Sequence, residues 1–311
     1  MKSNQNSPNI SPIIILILGV FAVSTSSIII RYAQSEVPSL VIAAFRLTIA
    51  ALILGVIVLF RYRRIFKALS GKELLVLFLS GLFLAGHFAT WITSLEYTSV
   101  VSSVVLVCST PLWVALLSPL VVREKPGRLI WVGMALTLSG AIIVGVSSGI
   151  RFVNGGMQFE GFAQGDSARA AYGNFLALMG AWCETGYILI GRGVRKTIAL
   201  VPYTFIVYGS GALVLLFTMV LLGLKITGYS MQSYGWMTAL AIVPQLLGHT
   251  SFNWALGYLN AAFVSVALLG EPVGTSILSF ALLKETPTVF EAVGGLFILV
   301  GIFITSRSEQ K

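Results

Sequence analysis

This chain contains an internal sequence repeat. Seven residues of 95–143 recur 161 positions later in 256–304: Leu95, Tyr97, Pro111, Glu124, Pro126, Gly133 and Gly140 return as Leu256, Tyr258, Pro272, Glu285, Pro287, Gly294 and Gly301. Such self-similarity predicts a fold made of two copies of one unit. Both passages lie in long apolar stretches, so the unit is predicted to be a bundle of membrane helices. Duplicated membrane bundles are typical of transporters, which bind their substrate between the copies.

The composition excludes the soluble classes. The chain has 311 residues, of which 57% are hydrophobic and 10% are charged, and its mean hydropathy is +0.92. A soluble domain of this size needs far more polar surface. We therefore predict an integral protein of the lipid bilayer. In a soluble chain the net charge of +9 would suggest nucleic acid, but basic cytoplasmic loops explain it here, and no nucleic-acid partner is expected.

Ten apolar segments are long enough to cross a bilayer as helices, which takes about 20 residues each. They are 12–31, 38–60, 73–95, 99–122, 128–148, 172–191, 201–223, 233–256, 260–283 and 288–306. Helix is the expected state because lipid offers no partner to an unpaired backbone group. The predicted fold is all-α and integral to the membrane, with ten transmembrane helices in two inverted five-helix repeats around a central cavity.

A polar, glycine-rich stretch divides the chain. The predicted units are a first repeat at 1–148, a linker at 149–171 and a second repeat at 172–311. Because each repeat holds an odd number of helices, the second enters the membrane in the opposite orientation. The basic residues favour this arrangement, since 14 of them fall on the side of the N-terminus and five on the other. Both termini are therefore expected in the cytoplasm.

Two carboxylates fall in the middle of predicted helices, where a charge costs about 2.5–3.5 kcal/mol. Glu271 lies in the middle of the ninth helix and Glu184 in the middle of the sixth. Each is predicted either to bind a substrate ammonium group or a proton, or to hold helices together. Pro272 and Pro111 are expected to act as hinges. Arg46 is predicted to be a structural anchor whose long side chain reaches the interface.

Two polar and aromatic stripes occupy corresponding helices of the two repeats. Their members share a face through helical spacing: His87, Thr90, Trp91 and Ser94 on the third helix, and Gln245, His249, Phe252 and Asn253 on the eighth. Together the stripes predict the lining of a pocket. Each histidine taken alone is better explained by a hydrogen bond between helices. Ser24 belongs to a polar patch in the first helix that could line the same pocket or allow close packing.

Several kinds of chemistry have no motif in this sequence. A phosphate-binding loop of the Gly-x-x-x-x-Gly-Lys-Ser/Thr type is absent, which argues against nucleotide hydrolysis. The chain has two histidines, one aspartate and two separated cysteines, so neither a metal site nor a cofactor is expected. We therefore predict that the protein is not an enzyme.

An ordered set of motifs resembles a known family. The set comprises Phe45-Arg46-Leu47, Pro111 followed by Glu124-x-Pro126, Glu271-Pro272 followed by Glu285-x-Pro287, the glycine pairs 133/140 and 294/301, and 173–178 followed by Trp182 and Arg192. It resembles the EamA-type permeases of the drug/metabolite transporter superfamily over nearly the whole chain apart from the linker and termini. Glu184 departs from the family pattern, which usually has a small or apolar residue there.

The resemblance implies a permease of the cytoplasmic membrane that exports amino acids and related small metabolites by alternating access. It also implies a cavity lined by helices 1, 3, 4, 6, 8 and 9, with helices 5 and 10 at the periphery. The alternatives are a multidrug or nucleotide-sugar transporter and, less favoured, a membrane-embedded enzyme acting on lipids. The expected partners are a small-molecule substrate and the bilayer. Coupling to protons and the choice between monomer and dimer stay open.

Overall fold

The computed structural model describes residues 10–64, 69–98, 103, 106–147, 150–153, 156–159, 167–278 and 289–307. Its helices are α1 (Pro12–Ser24), α2 (Ser26–Gln34), α3 (Ser39–Arg61), α4 (Gly71–Tyr97), α5 (Thr110–Val121), α6 (Arg128–Ser147), α7 (Ser167–Arg195), α8 (Leu200–Leu221), α9 (Met231–Leu240), a π-helix (Ala241–His249), α10 (Thr250–Ala255), α11 (Ala261–Leu268), α12 (Glu271–Leu278) and α13 (Val289–Ser306). Each of the ten predicted segments overlaps one or more of these helices.

The helices are suited to a bilayer. Four described stretches are long and apolar enough to span it, namely Pro12–Gln34, Ser39–Arg61, Gly71–Tyr97 and Leu200–Leu221. Large apolar side chains stand on their outer faces, among them Leu52 and Phe60 of α3, which are 66% and 89% exposed. Such faces are stable in lipid and costly in water. The predicted helical membrane fold is confirmed.

Two of the predicted helices are broken, and the breaks lie side by side. The first helix is interrupted at Thr25, between α1 and α2, where the Thr25 hydroxyl donates to the carbonyl of Ala22 at 2.8 Å and competes with the backbone hydrogen bonds of the helix. The ninth separates into α11 and α12 just before Pro272, which has no N–H to donate. Ser24 donates to the carbonyl of Glu271 at 3.1 Å. A Cβ on Gly274 would lie 2.1 Å from the Ser24 hydroxyl, so only glycine allows this approach.

The duplicated glycines bring the two repeats together. A Cβ on Gly133 of α6 would lie 2.5 Å from the carbonyl of Gly301 in α13, and one on Gly140 would lie 2.5 Å from that of Gly294. Small residues allow the backbones of membrane helices to touch in this way. Because rising numbers in α6 meet falling numbers in α13, the two helices run antiparallel.

The predicted linker contains regular structure. Strands β1 (Ile150–Val153) and β2 (Gly156–Phe159) pair antiparallel, with Ile150 opposite Phe159 and Val153 opposite Gly156. Helix α7 begins at Ser167, five residues before the predicted start of the sixth helix. Other parts of the sequence analysis, including Glu285 and Pro287, fall outside the described residues.

Candidate substrate-binding cavity

A cavity lies among the helices. Its lining comes from α1–α5, α7, the π-helix, α11 and α12: Val23, Ser26, Arg46, His87, Trp91, Val107, Cys108, Thr110, Pro111, Glu184, His249, Ser265, Leu268, Leu269 and Glu271. Both repeats therefore contribute. Helices α6 and α13 correspond to the predicted helices 5 and 10. Within the described residues they contribute no side chain to this lining, which agrees with the peripheral position expected of them. The second predicted helix was not among those expected to line the cavity, but it contributes Arg46.

The predicted site residues fall into two groups. Seven line the cavity: Arg46, His87, Trp91, Pro111, Glu184, His249 and Glu271. The other six, Ser24, Thr90, Gln245, Phe252, Asn253 and Pro272, lie outside this lining. Among these, Thr90 donates to the carbonyl of Gly86 at 2.7 Å within its own helix, and Phe252 packs edge-on against His249 with ring centroids 5.8 Å apart.

Arg46 is fully buried. The prediction that its side chain reaches the membrane interface is therefore wrong. Its Nε donates to Oε1 of Gln245 at 2.7 Å, and its Nη1 donates to the Ser26 hydroxyl at 3.0 Å. Its guanidinium carbon lies 4.1 Å from the centre of the Phe88 ring, within cation–π range. Three other elements thus hold this cation inside the bundle, which explains why it does not snorkel.

A row of rings connects the two stripes predicted on helices 3 and 8. Trp91 stacks on His87 with ring centroids 5.7 Å apart, and His87 lies 6.5 Å from His249. Phe88 meets His249 edge-on at 5.2 Å. Nδ1 of His87 lies 3.1 Å from the carbonyl of Gly180, so His87 also links α4 to α7. The stripes therefore meet at the cavity, and the histidines lie together.

The two carboxylates have different surroundings. Glu184 is buried, and one of its oxygens accepts a hydrogen bond from the Thr110 hydroxyl at 2.9 Å. Glu271 is half-buried and begins α12, where the N-terminal end of a helix favours negative charge. The cavity therefore has acidic groups on α7 and α12 and a cation on α3.

Sequence reasoning missed a tyrosine network behind the cavity. Nδ2 of Asn253 lies 2.5 Å from the hydroxyl of Tyr187 and 3.3 Å from that of Tyr208. Tyr208 also shares a hydrogen bond of 3.1 Å with Thr250. Tyrosines inside otherwise apolar helices were the available signal, because a buried hydroxyl needs a partner.

Acidic side chains tie the repeats together at both ends of the bundle. At one end, Glu124 accepts from Nε of Arg192 at 2.6 Å, from Nζ of Lys196 at 3.2 Å and from the backbone N–H of Ala261 at 3.3 Å. Arg192 also donates to the carbonyl of Leu256 at 2.8 Å. One carboxylate of the first repeat therefore gathers three donors of the second.

At the opposite end, Glu36 holds the start of α9 through neutral donors. It accepts from the backbone N–H of Ser230 at 2.9 Å, from the Ser230 hydroxyl at 2.6 Å and from the Ser233 hydroxyl at 2.5 Å. These hydrogen bonds, the Ser230 hydroxyl first among them, keep the pKa of Glu36 below its ordinary value.

The sequence is similar to those of known transporters. The sequence pattern of the EamA-like transporter family matches residues 10–146 and again residues 171–307. The uncharacterized transporter YdfC of Bacillus subtilis (strain 168) is 23% identical over 273 residues, covering 87% of this chain and 82% of that protein. An uncharacterized transporter of Archaeoglobus fulgidus is 22% identical over 302 residues, covering 96% of this chain and 98% of its own.

A solved structure shares the fold. A crystal structure of another protein superposes with a TM-score of 0.75 at 16% identity, covering 96% of this chain and 97% of its own. At that identity the likeness concerns the fold alone.

Proposed function

This chain belongs to the EamA-like transporter family, and we propose that it exports amino acids or related small polar metabolites by alternating access. It is an integral, multi-pass membrane protein whose relatives are named transporters. The observation that carries the proposal is the cavity shared by both repeats, in which Arg46 lies with Glu184 and Glu271. A site with charges of both signs suits a small molecule that is itself polar and charged.

Alternating access requires two bundles that rock about a shared site. The antiparallel contact between α6 and α13 supports inverted repeats at 1–148 and 172–311, joined by the segment 149–171. The bias of basic residues supports an inner-membrane location with both termini in the cytoplasm. In this orientation the Glu124 end faces the cytoplasm and the Glu36 end faces outward.

The role proposed for the carboxylates is to contact a substrate ammonium group or a coupled proton. Replacing Glu271 by Gln keeps the size of the side chain and removes its charge. We expect Glu271→Gln to abolish or uncouple export from reconstituted vesicles, while Glu73→Gln, at the exposed start of α4, leaves it intact. Flux by Glu271→Gln equal to that of the unmodified protein at every pH would contradict this role.

The substrate class needs a separate measurement, because the carboxylates would also attract a lipophilic cation. A thermal-shift screen of the purified protein against amino acids and small metabolites selects candidates for vesicle assays. Labelled amino acids and a labelled lipophilic cation are then compared in the same vesicles. Export of the cation alone would favour a multidrug transporter. Recovery of a chemically altered product would favour an enzyme.

A further inference from the structure

Three N–H groups in the cavity lack an acceptor. Nη2 of Arg46, Nε1 of Trp91 and Nδ1 of His249 are buried and have no hydrogen-bond partner among the described residues. All three side chains line the cavity, and they are 0%, 7% and 6% exposed. The nitrogen of His249 belongs to this set when it carries the ring proton. An unpaired buried donor is destabilising, so three in one cavity favour a bound molecule that supplies the acceptor.

The free edge of Arg46 is fixed in position. Gln245 and Ser26 accept from Nε and Nη1, and the Phe88 ring covers one face, which leaves Nη2 as the unpaired nitrogen. These two hydrogen-bond partners are neutral, so neither cancels the charge of the guanidinium. Planar guanidinium groups held in this way bind carboxylate or phosphate with defined geometry.

The remaining charges of the cavity favour carboxylate over phosphate. Glu184 and Glu271 line the same space and would repel a dianion, whereas they would attract an ammonium group on the same ligand. We infer that Arg46, Trp91 and His249 form a subsite for the carboxylate group of the substrate, in the same cavity as the acidic residues that contact its ammonium group. This inference rests on the proposed transport function and narrows the substrate to a zwitterion.

The subsite can be tested with acetate, the simplest carboxylate with a methyl group. Protein labelled with ¹⁵N at its six tryptophans gives one indole signal per tryptophan, and Trp91→Phe identifies that of Trp91. We expect sodium acetate to shift this signal saturably, because Nε1 gains an acceptor. Sodium chloride at the same concentration and methylammonium chloride should leave it in place. Absence of an acetate-specific shift would overturn the inference, and so would an equal shift with chloride.

Variants locate the bound anion. Arg46→Lys keeps the positive charge but loses the planar fork, so the acetate affinity should fall about tenfold or more. The other five indole signals report whether the variant is folded. If Arg46→Lys does not fold, His249→Phe removes one donor and should weaken acetate binding by about threefold or more. Undiminished binding in whichever variants fold would overturn the assignment.

The two proposals fail in different ways. Acetate binding without export of any amino acid from vesicles would count against the proposed function and leave the anion subsite in place. Export of amines that lack a carboxylate, together with an unshifted Trp91 signal, would remove the subsite and retain transport.

Discussion

Helix α4 and its counterpart in the second repeat, Met231–Ala255, begin alike and then diverge. Each starts at a capping serine: Ser70 accepts from the N–H of Glu73 at 3.3 Å, and Ser230 accepts from that of Ser233 at 3.2 Å. Helix α4 then runs to its end as a regular α-helix, whereas its counterpart widens into a π-helix over Ala241–His249.

One residue accounts for the difference. Tyr97 lies 27 positions after Ser70, whereas Tyr258 lies 28 positions after Ser230. A wide turn accommodates such an extra residue, and π turns are frequent at functional sites. Pro244 lies within it, where its missing N–H and its ring would disturb a regular α-helix. The backbone of the second repeat thus differs from that of the first next to the cavity, whereas the capped starts that the two helices share lie farther from it.

The divergence also changes what the two helices offer. Gln245, in the wide turn, accepts from Arg46, and the Nδ1 of His249 has no partner among the described residues. In α4 the corresponding nitrogen of His87 is bound to Gly180. The first copy therefore uses this nitrogen to hold a neighbouring helix, and the second leaves it without a partner among the described residues and available to a ligand.

The largest expected effect comes from the contact that only the second copy makes. Gln245→Leu removes the acceptor of the buried Arg46 Nε, so the free energy of unfolding should fall by about 1.5–3 kcal/mol. The control in α4 is Ser80→Ala, which loses a neutral bond of 3.1 Å to Tyr203 and should cost about 1 kcal/mol. Reversible unfolding in detergent measures both. If Gln245→Leu and Ser80→Ala lowered the free energy of unfolding equally, the contact made by the π-helix would add no more stability than an ordinary neutral hydrogen bond.

The glycines before the two histidines should also respond unequally. A Cβ on Gly248 would lie 2.6 Å from Cγ1 of Val23, a stiff side chain, whereas one on Gly86 would lie 2.9 Å from the more adaptable Cys183 sulfur. Gly248→Ala should therefore cost about 1–3 kcal/mol of unfolding free energy, and Gly86→Ala should cost less. The same unfolding assay compares them, and a larger loss for Gly86→Ala would contradict this account.

The histidines should give opposite phenotypes. His87→Phe breaks the bond to Gly180 and should lower the free energy of unfolding by about 1 kcal/mol. His249→Phe removes a buried nitrogen without a partner, so stability should be unchanged or raised, while export from vesicles falls. Paired thermal-unfolding and flux measurements test this. Similar stability losses in both variants would show that His249 has a structural partner after all.

The smallest effects are expected at the helix starts. Glu73 accepts from the N–H of Ser70 within its own helix at 2.8 Å, whereas α9 obtains its acidic partner, Glu36, from the other repeat. Because the pKa of Glu36 is lowered from 4.5, its stabilisation is complete above that pH and is lost as the pH falls through the lower folded-state value.

Thermal unfolding at a series of pH values tests the Glu36 contact. Glu36→Gln should unfold at a lower temperature than the unmodified protein at neutral pH, and the difference should shrink in acid. Glu73→Gln is the matched variant within one repeat. A difference that stays constant down to the acid limit would show that the charge of Glu36 contributes nothing.

The sequence predicted the scaffold better than the site. Long apolar runs and the duplicated glycines were enough for the helices, because lipid leaves the backbone few alternatives. The burial of Arg46 was not foreseen, since its partners Gln245 and Ser26 lie on other helices and no local pattern connects them. The π-helix was visible in the sequence only as the one extra residue between Ser230 and Tyr258.

The Glu124 carboxylate has a mechanical consequence. Arg192, Lys196 and the backbone N–H of Ala261 all donate to it, so all three donors lose the same acceptor when the repeats separate at this end. Separating the repeats there would strip both cations of their common counter-charge in a single movement. We therefore expect this end of the bundle to open cooperatively, so that it is either fully closed or fully open and intermediate states are sparsely populated.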